Sequence, residues 1–503
     1  MRRVDARPVD KPSADPAAPP DPLASERAGP AAIRGGALRV AGYAVGVALS
    51  ILSAALLFRH LGVVDGGRYV TILSLVALVG GLTEGGLTAI GVREFATRPQ
   101  AERAPALRAL LGMRVTLTVA GVAAAVGFAG LAGYGTTLVA GTALAGLGLL
   151  LQSLQSAATV PLQAELRFGW VTLADLVRQF VTVTSIVALV VAGAALLPFL
   201  AIAIPAGFAS LALTVAAVRQ RGALVPSFRT SAWSELAREA LPYAVTSAVG
   251  AIYFRLAIIV MSLTATEVET GYFGASFRIV DVLIVVPQLV VGAAFPIFAR
   301  AARDDRVRLR YALERSLEGA LIFGIWTSVS LVVGADLAIE VVAGADFAPA
   351  ADVLRIQAAA LLLAFVNAVL GYALLSLGRY RALLAMAAAA LLVVAALTPL
   401  LGEAHGAEGG AVATVAGEAV VALGGFGALL RGHPDLRISP WRALRIALAG
   451  AIALAVALLD LPDAAGVLVA TAVLAAALFA LRAVPEELIV EARALLGRRK
   501  RRA

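Results

Sequence analysis

Arg255 sits near the middle of the apolar run 240–263. An ionised side chain at the centre of a bilayer costs about 2.5–3.5 kcal/mol on insertion scales, so it must face a cavity or a partner. The same argument singles out Glu84 in the run 69–92, Glu418 in 410–430 and the amide Asn367 in 354–377. In the run 277–298, Arg278, Asp281, Gln288 and Gly292 are spaced to share one helical face, with Arg278 and Asp281 within reach of each other. Arg39, Tyr43, Gly46, Ser50 and Ser53 make a second small or polar face, and Ser247, Ala251 and Arg255 a third. Such faces are expected to line an aqueous groove. The chemistry they offer is recognition rather than bond breaking. A guanidinium fork matches phosphate oxygens, and Asn367 and Gln288 suit sugar hydroxyls. The competing reading of Arg255 is a structural ion pair with Glu84 or Glu418. Glu84 reads better as structural or gating, Glu418 as a proton site or a helix cap, and Arg278–Asp281 as a pair at the outer interface.

Elements that position these residues must lie in lipid. Of 503 residues, 60% are hydrophobic and 15% charged, against about 45–50% and about 25% in soluble domains. Mean hydropathy is +0.89. A water-soluble enzyme is excluded. The chain has no cysteine and three scattered histidines, which removes thiol chemistry and makes a His-built metal site unfavourable. No metal or cofactor is expected. The net charge of +9 is judged by where the charges fall, and no nucleic-acid partner is expected.

A spanning helix needs about 20 apolar residues. Fourteen candidates run at 37–58, 69–92, 110–131, 136–157, 170–192, 196–218, 240–263, 277–298, 317–335, 354–377, 381–401, 410–430, 443–460 and 464–482. Every second loop is rich in arginine, from Arg93, Arg98 and Arg103 to Arg431, Arg437 and Arg442. The loops between them carry acids such as Asp65, Glu267 and Glu269, Asp336, and Glu403 and Glu408. Basic loops mark the cytoplasmic side, which puts both termini there. Residues 1–34, proline-rich with alternating charge and no apolar run, read as a disordered cytoplasmic tail rather than a signal peptide. The expected organisation is all-α and polytopic. It comprises a six-helix bundle over 37–218, a linker over 219–239, a second bundle over 240–430, a helix pair over 443–482 and a basic tail over 483–503. The cluster Arg498 to Arg502 suits anionic lipid.

Two joins share a pattern. Asp65-Gly66-Gly67-Arg68-Tyr69 and Glu267-Val268-Glu269-Thr270-Gly271-Tyr272 each place an acidic turn and a glycine before an aromatic that opens a helix. Six spans separate them, as in a parallel duplication with substrate between the halves.

The stretch 52–96 resembles the opening of the polysaccharide and O-antigen flippases of the MATE-like exporter superfamily. The resemblance rests on the leucine-rich run and Leu-Gly turn from Leu56 to Gly62, on Gly67 and Tyr69, and on Glu84, Gly86 and Leu87. Region 241–303 looks like that family's second half through Pro242, Arg278 with Asp281, and Phe295-Pro296. One departure stands out: the family's Arg-x-Asp of helix seven is Arg255-Leu256-Ala257 here, without the acid. The resemblance implies a non-enzymatic flippase in the bacterial inner membrane. It would move an undecaprenyl-type lipid-linked glycan by alternating access, alongside polysaccharide polymerase and glycosyltransferases. Coupling to proton, sodium or membrane potential would fall to Glu84 or Glu418. No Walker A pattern is present, so ATP is not expected as the direct source. Competing readings are a lipid II flippase, which also has fourteen spans, a MATE-type drug exporter, a membrane glycosyltransferase or polymerase, and a scaffold for envelope enzymes. The drug exporter is disfavoured by the central arginine. The glycosyltransferase is disfavoured by the lack of a large outer loop or Asp-x-Asp site.

Overall fold

The structure, a computed structural model, describes residues 28–218, 225–433, 440–459 and 461–483. Residues 1–27 of the expected tail, 219–224 of the linker and the basic cluster near the C-terminus lie outside the described residues, as do the side chains of Arg39 and Tyr43. Residues 28–34, expected within the tail, are helical.

All regular structure among the described residues is helical, the form in which a chain satisfies its own backbone donors and acceptors in lipid. The first part comprises α1 (Ala28–Glu84), α2 (Leu87–Thr97), α3 (Gln100–Leu131), α4 (Thr136–Ala158), α5 (Val160–Ala164), α6 (Phe168–Val191), α7 (Leu196–Ala201) and α8 (Ala203–Val218). The second comprises α9 (Thr230–Thr264), α10 (Glu267–Leu283), α11 (Val285–Asp304), α12 (Arg306–Val333), α13 (Ala335–Val342), α14 (Ala350–Ser376) and α15 (Tyr380–Gly432). The helices α16 (Pro440–Leu454) and α17 (Asp463–Ala480) follow.

Among the described residues, twelve helices are long and apolar enough to cross a membrane. Two of them, Val45–Thr97 and Tyr380–Gly432, have 53 residues each. A straight helix of that length would reach about 80 Å at about 1.5 Å per residue, well beyond the roughly 30 Å hydrocarbon core. Both fold back instead. The chain of α1 turns at Gly62 (φ 71°), which brings Gly66 against Phe58. The chain of α15 turns at His405 and Gly406; its arms then run side by side, with Gly417 on Val394 and Gly424 on Met386. The expectation of fourteen spans counts the arms of these hairpins separately.

The arm of α1 after Gly62 is the hub. At its acidic-loop end it meets the start of α10 so closely that a Cβ on Gly67 would lie 2.8 Å from the Gly271 Cα, and one on Gly271 would collide with the Val63 carbonyl. The two glycines of the matched sequence patterns therefore touch each other. Arg68 straddles this seam, with both Glu267 oxygens at 2.8 and 2.9 Å and Asp65 at 3.0 Å. At the basic-loop end a second seam runs along α9, where a Cβ on Gly81 or Gly85 would meet the Cβ of Ala251 or Ala244 at 2.6 and 3.0 Å. Below it, Leu236 and Ala240 of α9 are buried with Leu87 of α2 and Leu107, Leu110 and Leu111 of α3. At both ends the hub thus touches the second half of the chain.

The terminal pair packs on α12 through Ile325 and Val329 against Ile446, Ala449 and Ala470. Arg442 of α16 reaches Glu318 of α12 at 3.0 Å.

Glycine spacing makes a direct prediction. Gly271→Ala is expected to cost about 1–3 kcal/mol, because a methyl group is forced onto backbone. Gly319→Ala, at a helical position where an added Cβ would meet no atom within 4 Å, is expected to gain about 0.5–1 kcal/mol. Thermal melts of the two purified variants in detergent check the opposite signs.

Candidate functional site

Beside the hub lies a cavity of 670 Å³, within the usual range of about 300–1,000 Å³ for ligand pockets. Most of its wall comes from α1, α3, α4, α6 and α8. Arg255 of α9 and Phe277, Arg278 and Asp281 of α10 form the facing side. The groove expected between two equal halves is thus a chamber belonging chiefly to the first, with the second supplying a charged lid.

That lid is a triad. Arg255 donates to both oxygens of Asp281, at 3.1 and 3.4 Å, and its guanidinium lies 5.0 and 5.4 Å from the ring centres of Phe254 and Phe277. Arg278 approaches Asp281 Oδ2 at 3.5 Å and donates to Ser50 Oγ at 2.7 Å. These contacts correct two expectations. The partner of Arg255 is neither Glu84 nor Glu418 but Asp281, one helix on, which supplies the acid missing two residues after Arg255. Arg278–Asp281 is not a separate interfacial pair. Because α10 packs against the hub, both residues turn into the cavity.

Glu84 stands where α1 ends. Gly85 (φ +42°) and Gly86 (φ +76°) take the left-handed backbone that favours glycine and start α2 in a new direction. One Glu84 oxygen accepts from the backbone N–H of Thr88 at 3.2 Å, and the other pairs with Arg114 of α3. Arg114 is 2% exposed and also donates to Thr88 Oγ1 and Ser156 Oγ, both at 3.0 Å. Glu84 also lines a second space of 600 Å³ together with Ser247, Gln163 and Thr88, toward the basic-loop end.

Glu418 and Asn367 lie elsewhere, in the core of the second half. Glu418 is 8% exposed. Its carboxylate accepts from Tyr253 Oη at 2.9 Å and from Asn367 Nδ2 at 2.7 Å, with no cationic partner among the described residues. It borders a small space of 30 Å³ beside Gln357, whose buried Nε2 has no partner. That is room for about one water. Asn367, expected to contact sugar, is committed to Glu418. Gln288 is exposed and is not part of the cavity wall. Pro287 lacks the N–H that would bond Leu283, so α10 and α11 separate at Ile284, and the expected stripe splits. Arg278 and Asp281 face the cavity, whereas Gly292 packs on the Tyr372 hydroxyl.

Two cavity cations escaped the sequence reading, Arg114 and Arg178. Both fall inside expected spans, 110–131 and 170–192, so the cost argument that selected Arg255 was available for them too. The cavity therefore holds four guanidiniums, Arg114, Arg178, Arg255 and Arg278, against two carboxylates, Glu84 and Asp281. Around them stand neutral polar groups, including Gln152, Gln179 and Ser74.

The family model described as "Polysaccharide biosynthesis protein" matches residues 56–352, more than half of the chain. The chain belongs to that family. No curated protein matches by sequence. Among solved structures, the lipid II flippase MurJ in an inward closed conformation is similar at a TM-score of 0.72 with 15% identity, over 88% of this chain and 98% of that one. An inward-facing multidrug resistance MATE transporter of the MOP superfamily gives 0.65 with 14% identity, over 78% and 95%. A MOP superfamily transporter from Pyrococcus furiosus, described as having a binding pocket of reverse polarity, gives 0.51 with 15% identity, over 82% and 96%. The fold of this multi-pass membrane protein is thus the MATE-like transporter fold.

Removing the carboxylate from a buried cation strands that cation, although Glu84 itself is 41% exposed and its loss is partly offset by solvent. Glu84→Gln is expected to destabilise the protein by about 1–2 kcal/mol by leaving Arg114 without its anion, and Glu84→Gln with Arg114→Met by clearly less. Melting temperatures of the single and double variants decide this.

Proposed function

We propose that the chain is a flippase that carries a lipid-linked oligosaccharide across the bacterial inner membrane, with both termini on the cytoplasmic side. The observation that carries this reading is the cationic surplus of the cavity, set among neutral hydrogen-bonding groups. A lipid phosphate head group needs compensating positive charge to leave water, and sugar hydroxyls need donors and acceptors such as Gln152 and Gln179. The acyl chain stays in the bilayer while the head group occupies the chamber. Membership of a polysaccharide biosynthesis family supports a glycan cargo. The similarity to the lipid II flippase MurJ favours a second reading, a peptidoglycan precursor as cargo. A cationic drug is disfavoured by the four arginines.

Movement would break one seam of the hub at a time. Opening at Gly81 and Gly85 admits the head group from the basic-loop side; opening at Gly67 and Gly271, with rupture of Arg68–Glu267, releases it at the other. Of the two acids considered for coupling, Glu418 suits a proton better, because neutral donors hold it and Glu84 is tied to Arg114.

Arg255→Ala is expected to abolish export of polymer in a flippase-deficient strain while leaving expression and melting temperature close to wild type. Export at the normal rate would sink the cavity as the cargo route. Glu418→Gln is expected to retain lipid binding and lose gradient-driven transport in proteoliposomes. Undiminished transport would remove Glu418 from coupling.

A further inference from the structure

A further space lies apart from the chamber, between α3 and α9. It is a niche of 290 Å³ walled by Met113, Thr116 and Leu117 on one side and by Trp233, Ser234 and Ala237 on the other. One wall thus belongs to each half of the chain. The Thr116 hydroxyl is spent on the Gly112 carbonyl of its own helix at 3.0 Å. The indole N–H of Trp233 donates to the Ser227 carbonyl at 3.2 Å. Ser227 is in turn pinned to α3, its N–H donating to the Arg108 carbonyl at 2.8 Å. Gly112 allows that crossing, because a Cβ there would collide with the Ser227 carbonyl. The niche therefore offers chiefly hydrocarbon and one fixed aromatic ring.

Its depth follows from the sequence. Met113 to Leu117 open the expected span 110–131, and Trp233 to Ala237 come just before the span 240–263. That is the basic-loop edge of the hydrocarbon, where tryptophan is enriched. Leu117, Leu241 and Val245 are exposed around it, and exposed aliphatic side chains at this depth meet acyl chains. Ser234, Ala237, Arg238 and Leu241, at offsets 0, 3, 4 and 7, share one face of α9. Helical side chains lean toward the N-terminus, which carries the Arg238 head back toward the basic-loop side. Arg238 is exposed and has no hydrogen-bond or ion-pair partner among the described residues. The same holds for Arg229, one turn before Trp233.

We propose that the niche seats an acyl chain of an anionic phospholipid from the leaflet on the basic-loop side, with its phosphate held by Arg238. The apolar walls fit the chain, and the unpartnered guanidinium on the same face of α9 complements the head group. The lipid would also act on the seam. Leu236 and Ala240, on other faces of α9, are buried with Leu107, Leu110 and Leu111 of α3. A chain lodged between Leu117 and Trp233 touches both helices at once, so it favours the state in which they are in contact. Anionic lipid thereby holds the basic-loop seam closed. The inference concerns the contact with the bilayer and is independent of the cargo.

The test reconstitutes the full chain in phosphatidylcholine vesicles containing a minor fraction of phosphatidylglycerol or phosphatidylcholine brominated on its acyl chains. Quenching of Trp233 fluorescence, isolated by difference from Trp233→Phe, reports a chain in the niche. Brominated phosphatidylglycerol is expected to quench at about fivefold lower mole fraction than brominated phosphatidylcholine, the scale of one arginine at an anionic surface. Arg238→Gln should erase that preference and Arg238→Lys should keep most of it. Ala237→Leu, which fills the niche, should weaken quenching by both lipids. Equal quenching by the two lipids in wild type, or an unchanged preference in Arg238→Gln, would overturn the proposal. Undiminished quenching in Ala237→Leu would put the chain outside the niche and overturn it as well. Quenching that appears only after removal of residues 1–27 would make the niche the seat of that segment rather than of lipid. The seam has its own readout. The chain has no cysteine, so Ser247→Cys, on the 600 Å³ space at the basic-loop end, reports opening as a maleimide labelling rate. Phosphatidylglycerol should slow labelling, and adding Arg238→Gln should abolish the slowing. Equal rates with and without phosphatidylglycerol would refute the hold on the seam. None of these outcomes bears on the cargo route, which the Arg255 export assay tests separately.

Discussion

A guanidinium at the depth of the hydrocarbon core must find either a carboxylate or a ligand. Much of the first half of this protein is organised by that requirement. Four arginines converge on one chamber, but only two acids enter it, so the chamber is cationic by construction. Asp281 serves two guanidiniums, Arg255 and Arg278, and therefore satisfies neither fully. Phe254 and Phe277 take up part of the remainder through their ring faces, an interaction worth most where water is scarce. The result is a wall whose positive charge is held in place without being cancelled.

The same hub helix that carries Ser50 and Ser53 on one arm and Glu84 on the other also forms both seams that close the chamber. Its glycines let backbone meet backbone at Gly67 and Gly271, and let helices touch at Gly81 and Ala251. Apolar contacts between small residues cost little hydrophobic energy to break in lipid, since acyl chains solvate apolar surface about as well as protein does. Seams of this kind suit a transporter, which has to separate them repeatedly. The second half packs tightly around α14 and holds the buried Glu418–Tyr253–Asn367 group.

Matching a family on residues 56–352 and a fold over 88% of the chain at 15% identity is coherent with this division of labour. The polarity of the chamber wall is set by Arg114, Arg178, Arg255 and Arg278.

The sequence alone determined the all-helical membrane class, the alternation of basic and acidic loop ends, and the resemblance carried by the patterns around Gly67, Glu84 and Gly271. Each of these follows from a local or periodic property: hydropathy over about 20 residues, charge per loop, glycine at a turn. It also flagged Arg255, Glu84 and Glu418 as residues whose cost demanded a reason. Who pairs with whom was decided only by tertiary structure, because the partners are remote in sequence and their meeting depends on helix rotation and kinks. Asp281 rather than Glu84 reaches Arg255 because α10 packs beside α9 and the hub. Glu84 finds Arg114 because α1 stops at two glycines, and Gln288 leaves the cavity because Pro287 breaks the face it shared with Arg278. The surplus of charge emerges only when all these contacts are summed in three dimensions.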